Sequence, residues 1–297
     1  MKKIIAFAMV LVISTVATFA GERRRIAFER SDAVYVANLD GTADKKIADG
    51  IFPAISPDGT RVAFNTVEKT NTTYARHIAV VEIETGKPTV FKDVPSDNSY
   101  YPTWSPDRKR ILFTLRVNEL WDLGLINPDG TEFRVLKKGE RDKVTLYSPC
   151  WGRDNQSIFC EDMTNVYQLD LDGYVLAQWT IEKIIPNGDM SGDDRIDVSP
   201  DGKHLLLSVQ MSEEHNRKDW DGPQPALWSF DLTTQKSVRL TPKKLFAWDG
   251  CWIDDTNILF LSQPAGEKAA SIYRLSTNGK DLKLLIKNAR FPTVSAP

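Results

Sequence analysis

Short runs of alternating apolar and polar residues fill most of this chain, and they recur in one order. The order is clearest in Phe52–Phe64 (FPAISPDGTRVAF) and Tyr101–Phe113 (YPTWSPDRKRILF). Degenerate copies occupy Ser148–Cys160, Arg195–Leu207 and Asp249–Phe260. A further copy begins at Phe291 and stops after Ser295, and its second half, Arg25–Phe28, stands near the other end of the chain. A repeat completed only when the two ends meet implies a closed ring. The expected fold is all-β, a six-bladed β-propeller of four-stranded antiparallel blades, with the N- and C-terminal strands sharing one blade.

Aligning the copies separates residues that build the ring from those that do not. Ile55, Trp104, Trp151, Val198, Trp252 and Val294 form an inner-strand column expected to fill the space between adjacent sheets. The preceding column, Ala54, Thr103, Cys150, Asp197, Cys251 and Thr293, is mostly small, as suits the crowded axis. The next strand carries Phe28, Phe64, Phe113, Cys160, Leu207 and Phe260 on one face. The third has an aromatic column of Tyr35, Trp121, Tyr167, Trp228 and Tyr273, with Ala79 as the exception. Runs such as Ser56–Gly59 (SPDG) and Ser199–Gly202 (SPDG) resemble metal- or phosphate-holding loops, but their recurrence at one position makes them turns. Asp40-Gly41, Thr85-Gly86, Asp129-Gly130, Asp172-Gly173 and Asn278-Gly279 mark the second turn of each blade.

Residues 1–20 fall outside this pattern. Lys2 and Lys3 precede an apolar stretch that ends at the small-residue site Thr18-Phe19-Ala20, which reads as a signal peptide. Residues 21–297 then form the propeller, at roughly 46 residues per repeat, close to one four-stranded blade. The net charge of −2 becomes slightly more negative once the two lysines leave, so neither nucleic acid nor an anionic membrane surface is expected as a partner, and no membrane insertion is expected after cleavage. Export places the protein in the periplasm, or outside the cell, as a monomer. Of the three cysteines, Cys150 and Cys160 fall on adjacent strands of one hairpin, where a disulfide is feasible, although Cys160 stands in the Phe column and reads more readily as a small buried hydrophobe.

The signature at Pro102–Phe113, Pro-x-Trp-Ser-Pro-Asp-x-x-x-Ile-x-Phe, resembles the repeat of the TolB-like propellers, and the resemblance covers essentially the whole chain after residue 20. It implies a periplasmic cell-envelope scaffold that docks protein partners at one mouth of the ring. The α/β domain that precedes the propeller in Tol-Pal members of the family has no counterpart expected here, which leaves the pathway open. Related repeats occur in propellers of prolyl oligopeptidase-type peptidases and of oligogalacturonate lyases.

The chain shows no Gly-x-Ser-x-Gly elbow, no His-Glu-x-x-His and only three histidines, which weighs against hydrolase or metalloenzyme chemistry. No catalytic residue or cofactor is expected. What the repeat leaves unexplained clusters in the loops leading into the inner strands: Tyr100, Tyr101, Tyr147, Asp194, Arg195, Trp248, Asp249, Arg290 and Phe291. Tyr, Trp and Arg favour protein or peptide partners because each joins a large contact area to a polar handle. The same aromatics could instead plug the tunnel or staple neighbouring blades. The long connection Met211–Pro225, with Glu213, Glu214, His215, Arg217, Asp219, Trp220 and Asp221, is expected over the same mouth as a lid, a docking arm or a plain surface insertion. Asp189, Asp193, Asp194 and Asp197 could offer oxygens to calcium, with Arg195 competing for them. The rival expectation is an enzyme acting on a polysaccharide or small molecule in the central tunnel.

Overall fold

The computed structural model describes residues 24–69, 73–136, 144–212 and 215–296. The expected signal peptide, and Glu213 and Glu214 of the long connection, lie outside the described residues. Among those described, no helix is long and apolar enough to cross a membrane.

Six antiparallel sheets follow one another along the chain. The inner strands of blades II to VI include Ile51–Ile55, Ser99–Trp104, Tyr147–Trp151, Ile196–Val198 and Ala247–Asp254. Blade I is the composite one: Arg25–Arg30, Ala33–Asn38 and Lys45–Asp49 are joined on the inner side by Arg290–Val294. Ile26 pairs with Val294 and Ala27 with Thr293, as the repeat requires. The apolar core is correspondingly divided into six, each part filling the gap between two neighbouring blades. Phe64, Val62 and Ile55 of blade II pack with Ala27, Val34 and Ile47 of blade I, and Ile26 and Phe28 of blade I pack with Leu259, Leu261 and Ile272 of blade VI. The cluster between blades VI and I closes the ring.

The turn residues act as read. Ser56 Oγ donates to Asp58 Oδ1 at 2.6 Å and accepts the Arg61 amide at 2.9 Å, while Gly59 adopts φ +69°. Ser105 with Asp107 and Ser199 with Asp201 repeat the arrangement. The inner-column tryptophans bridge blades. Trp104 donates its indole N–H to the Ala54 carbonyl at 2.9 Å, and Trp151 to the Thr103 carbonyl at 3.2 Å. Arg61 and Arg110 cover these two rings.

One sequence expectation needs correction. Trp121 is not in the aromatic column: Phe113 pairs with Gly124, and Trp121 lies further along the strand opposite Arg116. A Cβ at Gly124 would stand 2.8 Å from the Phe113 ring, which stacks on Phe133 instead. Cys150 and Cys160 form no disulfide, and both are buried, in keeping with the reading of Cys160 as a small buried hydrophobe. They belong to opposite faces of blade IV, Cys160 packing toward blade III and Cys150 toward blade V, so the hairpin cannot link them.

Candidate functional site

A β-bulge interrupts the same place in five inner strands, between Ile51 and Ala54, Tyr100 and Thr103, Tyr147 and Cys150, Trp248 and Cys251, and at the equivalent point of Arg290–Val294. At each bulge one residue takes a left-handed conformation: Phe52, Tyr101, Ser148, Asp249 and Phe291, with φ from +49° to +52°. None of the five is glycine, so this backbone costs energy at every copy and turns the side chain away from its usual face. Phe52, Tyr101, Ser148 and Phe291 thereby line a neck of about 60 Å³ in the tunnel. The Phe52 ring is 4.5 Å from Tyr101 and 4.6 Å from Phe291 between centroids, so three rings close one side of the neck.

Blade V departs from the rule. Its inner strand is split into Gly188–Asp189 and Ile196–Val198, and the residues between them form a loop over the lead-in mouth. Tyr101 Oη donates to Asp193 Oδ1 at 3.5 Å, and a Cβ at Gly192 would meet the Tyr147 ring at 2.9 Å. Asp194 turns inward and accepts from the Ser191 amide at 2.7 Å and from Gln210 at 3.0 Å. Arg195 reaches across the axis to the Pro292 carbonyl at 3.2 Å. The neck is therefore covered as well as narrowed.

The buried groups around it are acidic. Burial pushes the Asp249 carboxyl up to about 7, with Asp194 and Asp193 adding to the rise and Arg195 and Arg290 opposing it. Burial likewise raises Asp194 to about 6 and Glu161 to about 8. The Tyr101 hydroxyl is held well above its usual range by burial and by Asp249 and Asp193. Glu161 belongs to a column absent from the sequence reading, formed by Glu29, Asn65, Thr114, Glu161 and Ser208, all buried and all directly after the Phe column. Two of these side chains hydrogen-bond to the following blade at its bulge: Asn65 donates to the Ser99 carbonyl at 2.7 Å, and Ser208 accepts the Gly250 amide at 3.5 Å. A polar residue directly after the Phe column, repeated in five copies, was the available signal.

Outside the neck, the lead-in mouth carries a cup of about 440 Å³ walled by Phe52, Tyr100, Tyr101, Trp121 and Tyr147. Arg76, which covers the Tyr100 ring at 4.9 Å, and Asp193 also line it. The buried Thr114 hydroxyl lines the cup without a hydrogen-bond partner. The structure thus brings together Tyr100, Tyr101 and Tyr147. Phe291 contributes to the neck rather than the cup. Phe52 shares a repeat position with Tyr101 and Phe291 and could have been found from that alignment. Trp121 was hidden by its assignment to the wrong column.

The remaining candidates lie elsewhere. Asp194 and Asp249 are buried. Arg290 is exposed but pairs with Glu29, whose side chain is fully buried. The long connection folds back on blade VI: Trp220 packs 5.2 Å from Phe246 and 5.3 Å from Trp248, His215 stands 5.0 Å from Phe246, and Asp219 accepts the Gly266 amide. It forms a second aromatic group on the rim, separate from the cup. The four aspartates considered for calcium are turned to different partners, Asp194 to Ser191 and Gln210, Asp197 to the Trp252 amide. Among the described residues no three acidic, His or Cys side chains form a group that could hold a metal.

No family model matches the sequence, and no curated protein matches it. Solved structures do resemble its fold. TolB from Acinetobacter baumannii superposes with a TM-score of 0.66 at 16% identity, over 93% of this chain and 68% of that one. A chain of a nidogen/laminin complex gives 0.66 at 12%, over 92% and 98%. Oligogalacturonate lyase from Vibrio parahaemolyticus gives 0.52 at 14%, over 84% and 74%. These proteins have unlike activities, so the likeness carries the architecture and not the chemistry. The chain has the six-bladed β-propeller fold of the TolB-like proteins.

Proposed function

We propose that this protein is an exported, monomeric, non-enzymatic propeller of the cell envelope that binds a protein or peptide at its lead-in mouth. The observation that carries the reading is the aromatic cup. Five rings surround an open space of about 440 Å³, with a cation, an anion and an unpartnered hydroxyl in the wall. An extended peptide supplies what such a surface accepts: apolar or aromatic side chains for the rings, and backbone donors and acceptors for Asp193 and Thr114. The fold shared with TolB supports an envelope scaffold, and the apolar leader supports export.

Trp121→Ala and Tyr147→Ala test this cleanly because both rings are half-buried at the rim, outside the core clusters between blades. Each should weaken binding to an array of envelope-protein peptides at least tenfold, about 1.4 kcal/mol or more, while the melting temperature stays within a few degrees. Binding that persists undiminished in the double variant refutes the cup as the docking site. Arg290→Ala is a poor probe, since it strands the buried Glu29 carboxylate.

An enzyme acting on a polysaccharide or small molecule is the second reading, and one observation favours it: the tunnel opens at its other mouth into a separate chamber containing Arg153, Arg195 and Asp197.

A further inference from the structure

That chamber, of about 320 Å³, lies beside the Ser-Pro-Asp turns, on the far side of the neck from the aromatic cup. Most of its wall is the ordinary repeat: Ala54, Thr103, Cys251 and Thr293 from the small column, and Pro57, Pro106 and Pro200 from the turns. Three residues depart from the repeat, and all three meet here. Arg153 stands where three other blades have the turn proline. Arg195 stands where Phe52, Tyr101 and Phe291 stand in their blades. Asp197 is the one acid in the small column. A ring closes without any of them, as the other blades demonstrate.

Their charges do not cancel. Arg153 and Arg195 share Asp197, the only acidic residue in the chamber wall among the described residues, with Arg153 Nη2 at 3.8 Å from it. Both guanidiniums are otherwise anchored by neutral carbonyls, Arg153 by Ser199 and Val198 and Arg195 by Pro292. A third, Arg24, is held by the carbonyls of Ser295 and Ile253 and is offset from outside the wall by Asp254. Asp249 approaches Arg195 from the neck, but its burial favours the neutral acid. The wall also includes Trp252, 6% exposed, whose indole N–H has no partner although Trp104 and Trp151 in the same column donate to carbonyls.

We propose that the turn-side chamber is a binding site for a small organic oxyanion, a carboxylate or phosphate on a compact body. Planar guanidinium forks fixed by backbone carbonyls suit such a group, because little side-chain entropy remains to be lost on binding. The volume is at the lower end for small-molecule sites, and Trp104, Trp252, Ile55 and Ile253 give the organic body apolar walls. The site is independent of peptide binding at the cup, which the closed neck separates from it.

Citrate and inorganic phosphate, titrated separately by calorimetry and thermal shift against chloride at equal ionic strength, test the proposal and distinguish the two oxyanion types. At least one should bind the wild-type protein with a thermal shift that chloride does not reproduce. Arg195→Gln and Arg153→Gln should weaken that binding tenfold or more. Asp197→Asn keeps an oxygen for the Trp252 amide yet removes the competing charge, so it should tighten binding several-fold. Trp121→Ala should leave it unchanged, which separates failure of this site from failure of the cup. Absence of binding by both probes, a shift equalled by chloride, or an Asp197→Asn variant that binds no more tightly than wild type overturns the proposal. Should Arg153→Gln not fold, Arg195→Gln and Asp197→Asn decide it.

Discussion

Deleting Phe291–Pro297 is expected to abolish cooperative folding, an effect out of proportion to a short terminal segment. The removed strand supplies the inner edge of blade I, where Ile26 pairs with Val294 and Ala27 with Thr293. Its loss also breaks Ser295 from Arg25, the Thr293 hydroxyl from the Ile55 amide and the Ala296 amide from the Pro57 carbonyl. The first of these groups ties blade I together, and the others tie it to blade II. Opening the inner edge lets water reach the clusters that fill both gaps around blade I, including Phe28 and Phe64, each buried to within 1%. Burial of one such side chain is worth about 1.5–3 kcal/mol, so partial exposure of two clusters consumes much of a typical 5–15 kcal/mol stability. The bared strand Arg25–Arg30 would in addition present an unpaired edge that promotes association. Circular dichroism during heating and size-exclusion chromatography read the outcome. A truncated protein that melts cooperatively within about 5 °C of the full chain would show that blade I does not close the ring as described.

The second large effect concerns pH. Glu161, Asp249 and Asp194 are raised to about 8, 7 and 6, chiefly by burial. Their unfolded counterparts ionise near 4. The folded protein therefore binds more protons than the unfolded chain between these limits, so the stability these groups contribute is full below about pH 4 and is lost as pH rises toward 8. Glu161 contributes most. Its Oε1 has no hydrogen-bond partner, its other oxygen accepts the Met163 amide, and the charges facing it, Asp194, Asp162 and Asp193, are all negative. Glu161→Gln keeps an acceptor for the Met163 amide and removes the ionisation. At pH 8 it should stabilise the protein by about 3–4 kcal/mol, roughly 6–12 °C in melting temperature, with little change at pH 5. Melting curves from pH 5 to 8.5 for both proteins supply the test. Parallel pH profiles would mean that Glu161 ionises normally and that the acidic neck is solvated.

The two predictions draw on different levels of information. Ring closure was readable because the Phe291 half-repeat lacks what Arg25–Phe28 provides, and the repeat period assigned nearly every apolar column correctly. Misreading Trp121 arose where blade III substitutes Gly124 for the aromatic and fills the space with Phe133, a replacement from the connection before the outermost strand that a column alignment does not show. The Cys150 and Cys160 pairing looked feasible because neighbouring strands were visible in the sequence while the two faces of their sheet were not.

By itself the sequence determined the architecture: turn residues at fixed intervals, alternation with period two and a split repeat admit one closed arrangement of six sheets. Local chemistry suffices for that, since each strand and turn is specified by residues within its own copy. Which side chains meet at the axis was decided only by the tertiary structure. Phe52, Tyr101 and Phe291 come from three blades far apart in the chain, and Arg153, Arg195 and Asp197 from two more. Their convergence depends on the left-handed bulges and on the ring's radius, quantities that no single repeat encodes.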